Sequence, residues 1–151
     1  MKNYLILILA LIVITSCKES KENKEEIIKE NISNKIKQNF KDPDSFEFVS
    51  MNLKEKETVK ERKKVNNEKK VEEVKELYEK LGSKDSKELL ESMQKELEFL
   101  NKQTDDDKTA VFKYDFVAKG TNSFGGKIQT KYLVRVLNDE NYTVLSFGKN
   151  D

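Results

Sequence analysis

Of the 54 apolar residues in this 151-residue chain, 12 stand in the first 16 positions, leaving 42 among the remaining 135 alongside 56 charged residues. A chain this poor in apolar side chains can close one small core and no more. Its length also points to a single domain. The core must come from a few well-placed stripes, which periodicity reveals better than bulk hydrophobicity does. Composition removes whole classes of chemistry as well. There is no His, and the single Cys is Cys17, so Cys/His metal centres, Ser-His-Asp and Cys-His machinery and disulfides are not expected. Beyond position 16, 28 basic residues face 28 acidic ones. Without a basic excess, nucleic acid is not an expected partner.

Met1-Lys2-Asn3 gives a short basic start, and Tyr4 to Ile14 is an unbroken apolar run of 11 residues that ends at Thr15-Ser16-Cys17. This is the layout of a signal peptide, with a run well below the roughly 20 residues a membrane-spanning helix needs. Ile14-Thr15-Ser16-Cys17 resembles the lipobox of bacterial lipoproteins. The resemblance implies cleavage ahead of Cys17, a diacylglyceryl group on its thiol and an acyl chain such as palmitate on its amine. At about 0.8 kcal/mol per buried CH₂, two or three such chains form an essentially permanent lipid anchor. Lys18 stands where an Asp would signal inner-membrane retention in enteric lipoproteins, so the outer membrane is the expected location in the cell envelope. Lys18-Glu19 is also similar to the start of the surface-export signal of Bacteroidetes-type lipoproteins. That signal has a second acid where this chain has Ser20, which leaves the periplasmic and surface faces both open.

The expected organisation is a signal peptide over 1–16, a lipidated tether over 17–25 and a single α+β domain over 26–151. Lys18 to Glu25 has no apolar residue and reads as solvated chain. From Glu26 to Phe40, Ile28, Ile32, Ile36 and Phe40 recur every four positions, the stripe of an amphipathic helix that Asp42-Pro43 ends. Phe46 to Leu53 reads as a strand with Val49, Met51 and Leu53 on one face and Phe46 and Phe48 on the other. Lys54 to Lys70 is ambiguous between strand and helix. Val71, Val74, Leu77, Tyr78 and Leu81, then Leu89, Leu90, Met93, Leu97 and Leu100, mark two helices separated by Gly82 and by Ser83 to Ser86, which can turn and cap the second. They predict an αα-hairpin inserted at about 60–103, projecting from the sheet and replaceable by a linker. Alternating runs over Ala110–Ala118, Ile128–Leu137 and Tyr142–Phe147, with turns at Gly120–Lys127 and Asn138–Asn141, complete a four-stranded antiparallel meander beneath the N-terminal helix.

Candidate sites are sparse. Arg62-Lys63-Lys64 and Lys69-Lys70 are interleaved with Glu61, Glu68, Glu72 and Glu73, so they read as a solvated helix face rather than a phosphate-binding stripe. Asp105-Asp106-Asp107 lacks the spaced oxygen ligands and distal Glu of a calcium loop and reads as an exposed turn, so no metal is expected. The glycine-rich connection does not fit a phosphate-binding loop, since it joins strands and opens no helix. Asp42-Pro43-Asp44-Ser45-Phe46 and Asn122-Ser123-Phe124-Gly125-Gly126 are similar to the DPxS turn and NSFGG loop of small uncharacterised bacterial and phage-borne domains. That resemblance implies a shared fold and no activity. Phe124, an aromatic among glycines and polar residues, is the candidate contact for an envelope protein partner, with a plug in the end of the sheet as the plainer role. The expected role is a non-enzymatic binding or accessory domain held at the membrane, with no cofactor. An inhibitor or exclusion factor of the envelope is the alternative. A hydrolase using two carboxylates, for instance Asp115 with Glu47, is a weaker one.

Overall fold

The computed structural model describes residues 23–121 and 125–150. The signal segment, Cys17 with the tether to residue 22, and Phe124 lie outside the described residues. A helix, α1 (23–37), carries Ile28, Ile32 and Ile36 on one stripe, all fully buried. Its bounds differ from the predicted 26–40 at both ends. Residues 23–25 are already helical, because the stem of Lys24 joins the core margin and sets Nζ 4.1 Å from the Phe112 ring centroid and 3.4 Å from Asn138 Oδ1. That part of the expected tether belongs to the fold. At the other end, the amides of Asn39 and Phe40 bond back three residues to Ile36 and Lys37, closing the helix early and turning Phe40 inward. A short 3₁₀ turn, Pro43–Ser45, follows as expected, with Asp42 Oδ1 accepting the Asp44 amide at 3.2 Å.

Four antiparallel strands follow in spatial order β1 (Glu47–Thr58), β2 (Thr109–Thr121), β3 (Lys127–Leu137) and β4 (Val144–Lys149). The fold is α+β, with the N-terminal helix lying on the sheet as the sequence predicts. Phe112, Tyr114, Phe116 and Ala118 of β2 join Tyr132, Val134 and Val136 of β3 beneath the three isoleucines. β1 runs five residues past the expected end because Lys113 of β2 binds Glu55 at 2.9 Å and Glu57 at 3.2 Å across the strands. It also corrects the expected faces. A bulge at Val49 shifts the register between Phe48 and Ser50, so Phe48, opposite Ala118, shares a face with Met51, opposite Phe116, and Leu53, opposite Tyr114. β4 starts two residues later than predicted: Tyr142 takes a positive φ of 47°, and Asp139 ties down Thr143 through its amide at 2.8 Å and its hydroxyl at 2.6 Å.

The ambiguous stretch is strand to Thr58, then α2 (Val59–Val65) and the start of α3 (Glu68–Leu81). Thr58 and Glu61 form a reciprocal capping box that starts α2. Gly82, at φ +59°, ends α3 as the sequence predicts, and within the expected Ser83–Ser86 stretch it is Ser83 that caps α4 (Lys84–Asn101). α3 packs chiefly on α4. The hairpin is nevertheless not a detachable projection. Val59 of α2 and Leu100 of α4, both fully buried, form a second core with Val111, Leu137 and Leu145, and Phe99 packs against it. The apolar stripes also cover one another only in part: Val71 and Leu90 are buried, but Leu77, Leu81 and Leu89 stay exposed. One side of each helix was expected to serve the hairpin alone, whereas α4 must serve the sheet as well. Replacing 60–106 by a linker would remove Leu100 and Phe99 from this second core.

Candidate functional site

The Asp42–Phe46 turn is fastened to the end of β2. Ser45 Oγ donates to Asp42 O at 2.7 Å and accepts the Thr121 amide at 2.9 Å, fastening the Asp42–Phe46 turn to the last residue of β2. The strand pair closes at Thr121 opposite Lys127, which delimits the loop containing Phe124 as a hairpin connection, and Gly125 takes the positive φ of 81° expected of a glycine there. Lys127 is ion-paired with Glu47 across the same end. Beneath the turn, Phe40 and Phe46 meet edge to face at 5.8 Å between centroids, and Phe46 stacks on Phe116 at 6.5 Å. With both of its hydrogen bonds committed, Ser45 is a joint between the turn and β2.

Gly120 sets how closely this end can pack. A Cβ there would fall inside the van der Waals envelope of the Phe40 ring. Gly120→Ala is therefore expected to cost about 1–3 kcal/mol, as overpacking does. Most of that cost should vanish in a Phe40→Ala background, read from a double-mutant cycle in urea. Equal losses in the two backgrounds would remove Phe40 as the cause.

On the reverse face of the sheet, the only two arginines of the chain converge on one carboxylate. Glu96 of α4 is 1% exposed. Arg62 of α2 grips it with Nε at 2.5 Å from Oε1 and Nη2 at 3.2 Å from Oε2, and Arg135 Nη2 of β3 reaches Oε2 at 3.2 Å. Arg62 Nη1 continues to Glu57 Oε1 at 3.3 Å, where Lys113 also binds. A planar guanidinium suits this two-point grip, which an ammonium cannot copy. Burial works to lower the pKa of Arg62, but the bonds and charges of Glu96 and Glu57 outweigh it and raise the pKa overall. The network clamps α2 and α4 to β1, β2 and β3. Sequence reading placed Arg62 on a solvated face. The signal it missed is that 27 of the 29 basic residues are Lys, so each Arg marks a place where the fork geometry matters.

The carboxylates weighed as a catalytic pair are not brought together. Asp115 lies opposite Asn52, while Glu47 lies opposite Lys119, four residues along β2, or about 13 Å at strand rise. Lys131 at 3.0 Å lowers the pKa of Asp115, and Lys127 lowers that of Glu47. Of the Asp105–Asp107 turn, Asp106 pairs with Lys63 at 2.9 Å and Asp105 accepts the Asp107 amide at 3.0 Å. Among the described residues no group of three or more His, Cys, Asp or Glu could hold a metal ion. A cleft of about 630 Å³ lies between the end of α4 and the β3–β4 turn, lined among others by Phe99, Lys102, Lys108, Leu137 and Glu140. Cys17 and Phe124, the two sites singled out from sequence, lie outside the described residues. No family model, curated protein or solved structure matches this chain.

Proposed function

We propose that the protein is a lipid-anchored lipoprotein of the bacterial cell envelope, most consistent with the outer membrane, whose folded domain is a non-enzymatic binding or accessory module. The observation that carries this reading is the lipobox Ile14-Thr15-Ser16-Cys17 placed directly after the apolar run, with the chain's sole cysteine at its end. The fold is compatible with it. α1 begins at the sheet end marked by Asn138 and Phe112, and the Ser45–Thr121 joint lies at the other end of β2, whose 13 residues extend about 40 Å. A partner engaging the loop that contains Phe124 would therefore bind well away from the point where the tether joins. Cys17→Ser should abolish labelling by a fatty-acid probe and shift the protein from the membrane to the soluble fraction. Unchanged membrane partitioning of that variant would refute the anchor. Phe124→Ala should reduce recovery of envelope partners in a pull-down while leaving partitioning as it was.

A further inference from the structure

A single helix cannot roof this sheet. An α-helix with its side chains is about 10–12 Å wide, whereas four strands at about 4.8 Å spacing put the outer strand axes about 14 Å apart. The isoleucines of α1 cluster with residues of β2 and β3. On the β4 side, Asn31 Nδ2 reaches Asn141 O at 2.7 Å, and Tyr142, Val144 and Phe147 pack in as half-buried residues. The β1 side is left more open. The bulge at Val49 lines up Phe48, Met51 and Leu53 on the face that α1 covers, yet Phe48 remains 42% and Leu53 47% exposed. Lys29 of α1 extends over the Phe48 ring at 5.5 Å, and Lys56 follows on the same face of β1, opposite Phe112. The result is an apolar flank, continuous with the main core, bordered by long lysine side chains.

We infer that this β1 flank is the face the domain lays on the lipid surface, an inference that rests on the anchoring of Cys17. Six residue steps separate Cys17 from Asn23, so the chain between them spans about 22 Å at most. It joins the fold between the flank and the β3–β4 turn: Lys24 Nζ lies 4.1 Å from the Phe112 ring centroid and 5.0 Å from that of Tyr142, and the cross-strand neighbour of Phe112 on β1 is Lys56. An anchor at that distance lets the flank reach the boundary between headgroups and acyl chains, where Leu53 and Phe48 would enter while the lysine ammoniums remain with the headgroups. A second copy of the chain fits the flank less well. Two bulges interrupt the outer edge of β1, and antiparallel self-pairing centred on Glu55 or Lys56 would set Lys against Lys and Glu against Glu.

The chain contains no Trp, so one introduced indole reports on its own surroundings. Phe48→Trp and Leu53→Trp probe the flank, and Leu89→Trp on the exposed side of α4 is the control. Each lipidated protein is reconstituted into phosphatidylethanolamine/phosphatidylglycerol vesicles with and without brominated acyl chains. With the domain lying on its flank, emission from positions 48 and 53 shifts to the blue and is quenched about twofold or more by bromolipid, while position 89 is unaffected. Protein that sediments with the vesicles but shows no greater quenching at 48 and 53 than at 89 overturns the inference and leaves the anchor standing. Protein that stays in the supernatant overturns the anchor, and the inference with it. A blue shift at position 48 that grows with protein concentration in the absence of lipid assigns the flank to a second copy instead.

Discussion

Glu96→Ala is expected to destabilise the domain by about 3–5 kcal/mol, the cost of leaving a buried charge without its counter-ion. The Arg62 side chain is only 12% exposed and the Arg135 side chain 25%, and both direct a guanidinium at the Glu96 carboxylate. Neither can shed its charge near neutral pH, so removing the carboxylate leaves two cations facing one another in poorly solvated space. Glu57 holds Arg62 from the other side, but through a single contact at 3.3 Å that is shared with Lys113. Arg62→Lys should also be costly, because one ammonium cannot make the two parallel bonds to Glu96 as well as the bond to Glu57. Urea unfolding at neutral pH measures both. Losses below about 0.5 kcal/mol, the range of ordinary surface substitutions, would mean that the clamp does not hold the helical layer to the sheet.

Ile32→Asp and Phe116→Asp should each abolish the folded state near room temperature. Both side chains are fully buried in the main core, Ile32 on the inner stripe of α1 and Phe116 at the middle of β2. An aspartate at either site would have to stay ionised in an apolar surround or take up a proton, and it would forfeit the packing of the side chain it replaces. Each substitution therefore combines a lost hydrophobic contribution of about 2–5 kcal/mol with a desolvation penalty of similar size. Together, at about 4–10 kcal/mol, these are comparable with the 5–15 kcal/mol that holds a typical domain together, and a core as small as this one leaves little in reserve. Circular dichroism and thermal melting would show loss of the cooperative transition. A variant that melted like the parent would mean that the core faces are assigned wrongly.

The elements whose signal is local were legible in the sequence. The fourfold spacing of Ile28, Ile32 and Ile36 marks α1, Asp42-Pro43 the turn that follows it, Gly82-Ser83 the bend between α3 and α4, and the alternation from Ala110 to Ala118 the central strand. What escaped depends on partners distant in the chain. β1 continues past Leu53 because Lys113, some 58 residues from Glu55, holds it there. The faces of β1 change at Val49 because β2 imposes a register that the strand's own alternation cannot reveal. The base of the helical hairpin enters a core because Leu100 and Val59 meet Val111 and Leu137, a contact that no stripe on α4 announces. One missed boundary did have a local signal: Thr58-Val59-Lys60-Glu61 is a capping-box sequence, and it starts α2. At the candidate site, the Asp42–Phe46 turn and the glycine-rich connection could be picked out separately. Their juncture through Ser45 and Thr121, 76 residues apart, could not.

The anchor is tested most directly by the intact mass of the protein extracted from its own membranes. The expected species begins at Cys17 and carries the added mass of a diacylglyceryl group, with or without a further acyl chain on the new amino terminus. A chain that retains Met1–Ser16, or one cleaved at another residue and free of lipid, would contradict the lipoprotein reading and remove the basis for placing the β1 flank on a bilayer.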